Sequence, residues 1–368
     1  MGTYTREERI MKRVIGMAKR GIGFVSPNPM VGCVIYKDEI KIGEGFHEKF
    51  GSPHAEVNAI GSVVNQSDLR GAELFVNLEP CCHFGKTPPC TNLIIQSGIK
   101  KVVIANTDPF EKVKGKGIEQ LRNAGIEVVT GIMEESGSKL NESFIFAQIN
   151  KTPFVTLKIA QTLDGKISTN SGDSKWISNE LSRKDVQFLR FESDGILTGI
   201  GTVLKDNPLL TVREEGLNKQ PFRLILDTKL SISLTSNIVA DEYKLKTIIF
   251  YSTGNVEKKV ALEKNGIQLI EIPVTTDGKL NLAAVMKFCF EKGIHRILVE
   301  SGGILGSSLI EKGLVNKLVI YQSPKLLGNG KPFFEKQVEM KSMKESSNLR
   351  LDSFAQFGDD LKLVYYFK

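Results

Sequence analysis

Apolar residues along this chain fall into short blocks, and their spacing switches repeatedly between helical and extended. The segment TREERIMKRVIGMAKRG carries them three and four apart, which predicts an amphipathic helix over roughly 5–20. NPMVGCVIYKD bunches them as a buried strand does, and KIGEGFH is suited to pair with it as a hairpin. The pattern then reads helix from Ala55 to Val64, strand over 72–78, helix from Thr91 to Gln96 and strand over 101–106. It goes on with a helix from Gly117 to Asn123, a strand in IEVVTG and a helix over 134–147. Such alternation implies an α/β sheet packed between helices. The turn-type cluster NKTPF breaks it, and a domain boundary placed there gives domains 1–148 and 152–368.

A second α/β series follows. FVTLKIA, GILTGI, FRLILD, KTIIFYS, IQLIEIP and IHRILVESGG read as strands, the last running into a glycine-rich turn. SNELSRKDVQFLRFES reads as a helix started by Ser178 with Asn179, VEKKVALEKNG as a helix with Gly266 past its end, and NLAAVMKFCFEKG as another. KLVIYQSPKLLG and LKLVYYFK close the sheet.

Length agrees with two domains, since 368 residues exceed the usual size of one. No apolar run reaches the length of a membrane span, and the first helix lacks the apolar core of a signal peptide, so the expected compartment is the cytoplasm. Five cysteines, an odd count in a chain of this size, do not suggest a disulfide framework and leave metal binding, catalysis or burial. A net charge of +7 suits anionic ligands such as phosphates and also nucleic acid, with a solvated basic surface as the bland reading for most of these lysines. No dense Lys/Arg block is interleaved with aromatics, so neither nucleic acid nor membrane is expected as a partner.

One local cluster changes the picture. His54 precedes a predicted helix in SPHAEVNAI, and LEPCCHFGKTPPC holds Cys81, Cys82 and Cys90, three of the five cysteines. Thiolate sulfur and imidazole nitrogen are ligands zinc prefers, and three protein ligands leave a fourth position for water. Glu56 is spaced to reach that water while His54 holds the metal. The set follows the zinc-deaminase signature H-x-E with P-C-x-x-C, except that the second cysteine lies nine residues on instead of three. Cys82 competes, either in place of Cys81 or as a fourth ligand closing the site. The signature ligand directly follows proline, which favours Cys81. The reading is a catalytic zinc held by His54, Cys81 and Cys90, with chance clustering or a structural zinc as the bland alternatives. Cys33 and Cys289 read as buried inert thiols, and His47 and His295 as isolated histidines.

The combination SPNPMVGCVI, PHAEVNAI and EPCCHFGKTPPCTNLII closely resembles the deaminase half of the bifunctional deaminase–reductase family of riboflavin biosynthesis. LKIAQTLDGKIS, SKWIS, DVQFLR, GIGTVLKDNPLLTVR, VESGG and SPKLLG resemble its reductase half in the same order. The resemblance implies an N-terminal cytidine-deaminase-like domain followed by a C-terminal dihydrofolate-reductase-like domain. It implies zinc-dependent hydrolysis of the 2-amino group of 2,5-diamino-6-ribosylamino-4(3H)-pyrimidinone 5′-phosphate, with Glu56 carrying the protons. NADPH-dependent reduction of the product's ribosyl group to ribityl would follow. The substrate is thus a small phosphorylated pyrimidine, and a homo-oligomer is the expected assembly.

By the same resemblance Asn28 would bind the pyrimidine, and His83 and Lys86 would face the substrate and its phosphate; Asn28 before Pro29 is equally a turn residue. Ala160, Trp176, Thr202, Asp206, Thr228 and the run Gly302, Gly303, Ile304, Leu305, Gly306, Ser307 and Ser308 fall where the family binds the nicotinamide cofactor. Small residues there would let backbone N–H groups approach a pyrophosphate. Ser174, Arg190, Leu210, Arg213 and Glu300 match substrate positions, and Arg190 and Arg213 suit bidentate phosphate contacts. An exposed, ion-pairing Arg190 and a core Trp176 are the alternatives. Lys158, in an otherwise apolar strand, and Glu300 are the candidates for proton supply, and Lys158 joins Glu56 as catalytic. The chain departs from the family's common D-P-N-P, reading Asp108-Pro109-Phe110-Glu111. The rival reading is a nucleoside or tRNA deaminase fused to an unrelated nucleotide-binding domain, which would oxidise no NADPH.

Overall fold

The Thr5 hydroxyl accepts the N–H of Glu8, and the Glu8 carboxylate accepts the N–H of Thr5, a reciprocal cap that starts α1 (Arg6–Ala18). The computed structural model describes residues 4–84, 88–334 and 342–367. The chain forms two units, Met1–Thr152 and Pro153–Lys368.

The first unit continues with β1 (Gly32–Lys37), β2 (Ile40–Phe46), α2 (Ala55–Gly61), β3 (Glu73–Leu78), α3 (Cys90–Gln96) and β4 (Lys101–Asn106). It ends with α4 (Lys116–Asn123), β5 (Glu127–Thr130), α5 (Glu134–Leu140) and α6 (Glu142–Asn150). Its sheet runs β2-β1-β3-β4-β5. β1 is antiparallel to both neighbours, and β3, β4 and β5 are parallel. Leu74 and Val76 pack toward Ala59, Ile94 and Leu121, whereas Phe75 between them packs toward Met11 and Val14. Helices therefore cover both faces, and β3 and β4 read as unbroken apolar runs for that reason. α2 lies close on β2: a Cβ on Gly45 would stand 2.5 Å from the Ala59 nitrogen. That contact presses the helix that follows His54 against the sheet.

One expectation is corrected here. The helix over 134–147 is two helices, α5 and α6, broken at Asn141. The buried Asn141 side chain turns inward, accepting the N–H of Met30 at 2.8 Å and donating to the Met30 carbonyl at 2.9 Å. Side-chain amides that bond backbone elsewhere break helices this way.

The second unit comprises β6 (Phe154–Thr162), β7 (Lys166–Thr169), α7 (Glu180–Glu192), β8 (Gly195–Gly199), α8 (Ile200–Asp206), β9 (Phe222–Leu226), α9 (Asn237–Ala240) and β10 (Thr247–Tyr251). α10 (Val256–Lys264), β11 (Gln268–Glu271), α11 (Leu282–Glu291), β12 (Arg296–Glu300), α12 (Gly303–Glu311) and β13 (Lys317–Ser323) follow. β14 (Gly330–Pro332), β15 (Leu349–Phe357) and β16 (Asp360–Phe367) complete it. The main sheet runs β11-β10-β9-β8-β12-β6-β13-β16-β15, and β7 pairs with β14 in a separate ribbon. Strands from β11 through β13 are parallel, whereas β16 is antiparallel to both β13 and β15. The start of α7 is pinned from the far end of the chain. Asp360 accepts the Asn179 N–H and the Ser182 hydroxyl, each at 2.7 Å. Among the described residues, no helix is long and apolar enough to cross a membrane.

Candidate active sites

In the first unit, chain segments from separate elements meet at the ends of β3 and α2. His54 is the N-cap residue of α2, Cys81 follows β3, and Cys90 begins α3. Their ligand atoms all lie within 4.8 Å of one another, with His54 Nδ1 3.5 Å from Cys81 Sγ and 3.3 Å from Cys90 Sγ. Cys82 points elsewhere, its thiol 3.7 Å from the Lys112 carbonyl. A hydrogen bond from the Cys90 thiol, and one from His54, hold Cys81 down to about 4 despite burial. Its hydrogen bond to Cys81, and then burial, push the Cys90 thiol well up. The bond to Cys81 raises His54 against the effect of burial. Two sulfurs and an imidazole converging within 4.8 Å are a donor set that fits zinc.

Glu56 sits in the first turn of α2, buried to 3% exposure and hydrogen-bonded with Cys90. Burial, and next the Cys81 thiolate, push its carboxyl up to about 7. Asn28 reaches the same region: its Nδ2 lies 3.2 Å from His47 Nε2. His47 Nδ1 is 3.0 Å from the Pro53 carbonyl, which can only accept, so Nδ1 carries the proton and Nε2 accepts from Asn28. The amide oxygen of Asn28 is thereby left as an acceptor. His47, by sequence an isolated histidine, is 3% exposed, and its ring is 5.7 Å from that of His54. Nothing in the sequence next to it signals this, because its partners come from two other segments. His83 packs its ring 5.9 Å from Phe110. Burial pushes the neighbouring Asp108 carboxyl up to about 6. Lys86 lies outside the described residues.

In the second unit, Lys158 on β6 and Glu300 on β12 are register partners. Glu300 is gripped bidentately by Arg190 of α7, with Nε to Oε1 at 2.6 Å and Nη2 to Oε2 at 3.0 Å. Burial alone would raise the Glu300 carboxyl, but the charge and hydrogen bonds of Arg190, then Lys158, bring it down to about 2. Burial lowers Lys158 below the ordinary lysine range. This arrangement corrects the reason given for Arg190. Its Nη1 donates to the Thr211 carbonyl at 2.9 Å, so the guanidinium fork is committed to the protein and not presented to a phosphate. Arg213 is exposed and held through its backbone N–H by Gln187, at 3.0 Å. Leu210 is 3% exposed with a positive φ of 51°, and Ser174 is half-buried in the loop before α7.

Ala160 lies on β6 beside Tyr321 of β13, and Thr202 and Asp206 lie on α8. Thr228 follows β9, its carbonyl accepting the N–H groups of Ser252 and Thr253 at 3.0 Å each. Trp176 is no core residue: it is 65% exposed, with the Arg183 guanidinium 4.5 Å above its ring. The run 302–308 forms the start of α12, and its members differ. A Cβ on Gly302 would meet nothing within 4 Å, whereas one on Gly303 would stand 2.8 Å from the Pro332 carbonyl. Gly302, the N-cap, is therefore the position with open backbone; Gly303 is small because β14 packs on it. Ile304 is exposed, Leu305 and Ser308 are half-buried, and Gly306 and Ser307 are buried. An open glycine at the head of a helix fits a phosphate-bearing cofactor.

A histidine–dicysteine centre with a buried carboxylate on one sheet, and an open helix head over a mainly parallel sheet in the other unit, define a two-domain deaminase–reductase. Residues 4–106 match the cytidine and deoxycytidylate deaminase zinc-binding region, and residues 153–363 match the RibD C-terminal domain. The chain is 41% identical to the riboflavin biosynthesis protein RibD of Aquifex aeolicus, over 98% of each chain. It is 42% identical to that of Bacillus amyloliquefaciens, over 97% of this chain and 95% of the relative. The solved structure of Acinetobacter baumannii RibD (form 2) superposes with a TM-score of 0.88 at 36% identity, covering 98% of this chain and 99% of that one. A structure from Thermotoga maritima gives 0.86 at 37% identity over the same shares. The chain belongs to the RibD family: it is a bifunctional deaminase and reductase of riboflavin biosynthesis that uses zinc and NADPH.

Proposed function

We propose that the first unit removes the 2-amino group of 2,5-diamino-6-ribosylamino-4(3H)-pyrimidinone 5′-phosphate by hydrolysis, and that the second reduces the ribosyl group of the product to ribityl. The Thermotoga maritima relative is described as a diaminohydroxyphosphoribosylaminopyrimidine deaminase and 5-amino-6-(5-phosphoribosylamino)uracil reductase. The observation that carries the reading is Glu56, buried against the His54–Cys81–Cys90 cluster. In this reading the domains divide at 148–152, His54, Cys81 and Cys90 hold the zinc, and the substrate is a free small molecule that needs no nucleic-acid surface. Five cysteines, an odd count in a chain of this size, do not suggest a disulfide framework, which favours a cytosolic setting. A homo-oligomer is part of the proposal.

Zinc, when bound, supplies an acidified water, and NADPH supplies a hydride. The chain's own groups do the rest. Glu56, buried beside the cluster, takes one proton from the attacking water and passes it to the ring nitrogen, then takes the remaining hydroxyl proton and passes it to the amine, which leaves as ammonia. Asn28, its amide oriented by His47, offers its oxygen to a pyrimidine N–H. In the second unit Glu300 stays ionised at neutral pH and cannot give a proton, so Lys158 is the donor to the opening sugar ring. Arg190 holds Glu300 in place, and Arg213, exposed, is the residue for the phosphate.

The test follows ammonia release and NADPH absorbance together. Glu56→Gln should cut deamination by at least ~10²-fold, the scale of a lost general base, and keep its zinc. It should still oxidise NADPH when given the deaminated product. Lys158→Ala should release ammonia normally and fail at reduction, and mixing the two variants should restore both steps. Loss of both activities in a folded Glu56→Gln chain would show that the sites are not independent.

A further inference from the structure

Glu79 is a buried carboxylate that the mechanism above does not use. It is 3% exposed and stands between β3 and the zinc loop. Its two oxygens accept four backbone N–H groups. Oε2 takes Asp108 at 3.1 Å and Gly115 at 3.0 Å; Oε1 takes Gly117 at 2.9 Å and Ile118 at 3.1 Å. The Glu79 N–H in turn donates to the Asn106 carbonyl at 2.9 Å. One side chain thus ties the exit of β3 to the whole segment between β4 and α4. Gly117 and Ile118 are first-turn residues of α4, whose N–H groups have no partner within the helix. The fit is close: a Cβ on Gly117 would stand 2.3 Å from the Pro80 carbonyl.

The tethered segment borders the metal loop. Phe110 donates its N–H to the Asp108 carboxylate at 2.8 Å and packs its ring against His83. The Lys112 carbonyl receives the Cys82 thiol. Four charge-assisted bonds on one carboxylate are more than capping α4 requires, and two of them go to Asp108 and Gly115, outside the helix. We propose that Glu79 is a positioning residue for deamination, fixing segment 107–118 as the wall of the pyrimidine pocket and setting substrate affinity through Asp108 and Phe110. The proposal rests on the substrate reading given above.

The test is Glu79→Gln in the full, zinc-loaded chain. Glutamine keeps the size but turns an NH2 group toward two of the four N–H donors. The KM for the diaminopyrimidinone phosphate should rise about tenfold or more, the scale of losing hydrogen bonds to a charged acceptor. The kcat, the zinc content and NADPH oxidation on the deaminated product should stay near parental. A clamp serving the fold alone would lower the amount of folded enzyme and leave KM unchanged. An unchanged KM, or activity falling in step with zinc, overturns the proposal. A parent that releases no ammonia from this substrate sinks the substrate reading as well, whereas an active parent beside an unaffected variant sinks the proposal alone. Should Glu79→Gln fail to fold, hydrogen exchange on the parent decides. The amides of Asp108, Gly115, Gly117 and Ile118 should exchange more slowly than those of Glu111 and Lys112, and equal exchange would overturn the tether.

Discussion

Side-chain direction separates adjacent residues of identical chemistry in Cys81 and Cys82. The first faces His54 and the second the Lys112 carbonyl, so zinc content should respond to one and not the other. Cys81→Ser and Cys90→Ser should each lose the metal and deamination, while Cys82→Ser keeps both, as elemental analysis with an ammonia assay would register. A zinc-free Cys82→Ser chain would reassign the ligand. The sequence exposed this cluster because its members sit in two short segments with proline and glutamate as markers. His47 escaped because its meaning lies in Asn28 and Pro53, which only folding brings to it. Arg190 escaped in part for the same reason. Its residue type suggested a phosphate, but its partner Glu300 lies on β12, more than a hundred residues away.

At the level of elements, the head of α12 gives a paired prediction. Gly302→Ala adds a methyl into open space at a φ of −72° that alanine adopts freely, so the reductase should fold normally and bind NADPH more weakly. Gly303→Ala would collide with the Pro332 carbonyl and should displace β14, lowering thermal stability as well as cofactor affinity. Equal NADPH titrations for parent and Gly302→Ala would remove that backbone from the cofactor site. Strands buried on both faces were legible because the sheet demands unbroken apolar runs from them, as in β3, β4 and β10. β15 was not: as an edge strand with mostly exposed positions, it carries no such run. Among the described residues the short β7 and β14 pair only with each other, and they leave little apolar signal. The break at Asn141 was invisible because an asparagine in a helical pattern gives no sign of a distant backbone partner.

At the scale of the whole molecule, each unit has its own sheet and its own hydrophobic core. The switch from one α/β series to a second made this readable, since NKTPF interrupts the periodicity between them. Strand order within a sheet was not readable, because it depends on pairings far apart in sequence. β16 lies between β13 and β15 and carries Asp360, the anchor for the start of α7. A chain ending at Gly358 should therefore retain deamination and lose NADPH oxidation. Reduction surviving in that truncated chain would show that β16 is dispensable.

The place of β16 also fixes an order of birth. On the ribosome the first unit is complete once Thr152 has emerged, and it can fold while synthesis goes on, as domains generally do. The second sheet has to wait. Its β13 edge stays uncovered until the strand ending at Phe367 arrives to fill the gap. While the second unit is translated the nascent chain carries a finished deaminase and an unfinished reductase, and between the emergence of Ser323 and that of Phe367 it carries an open strand edge that a chaperone or a neighbouring nascent chain could engage.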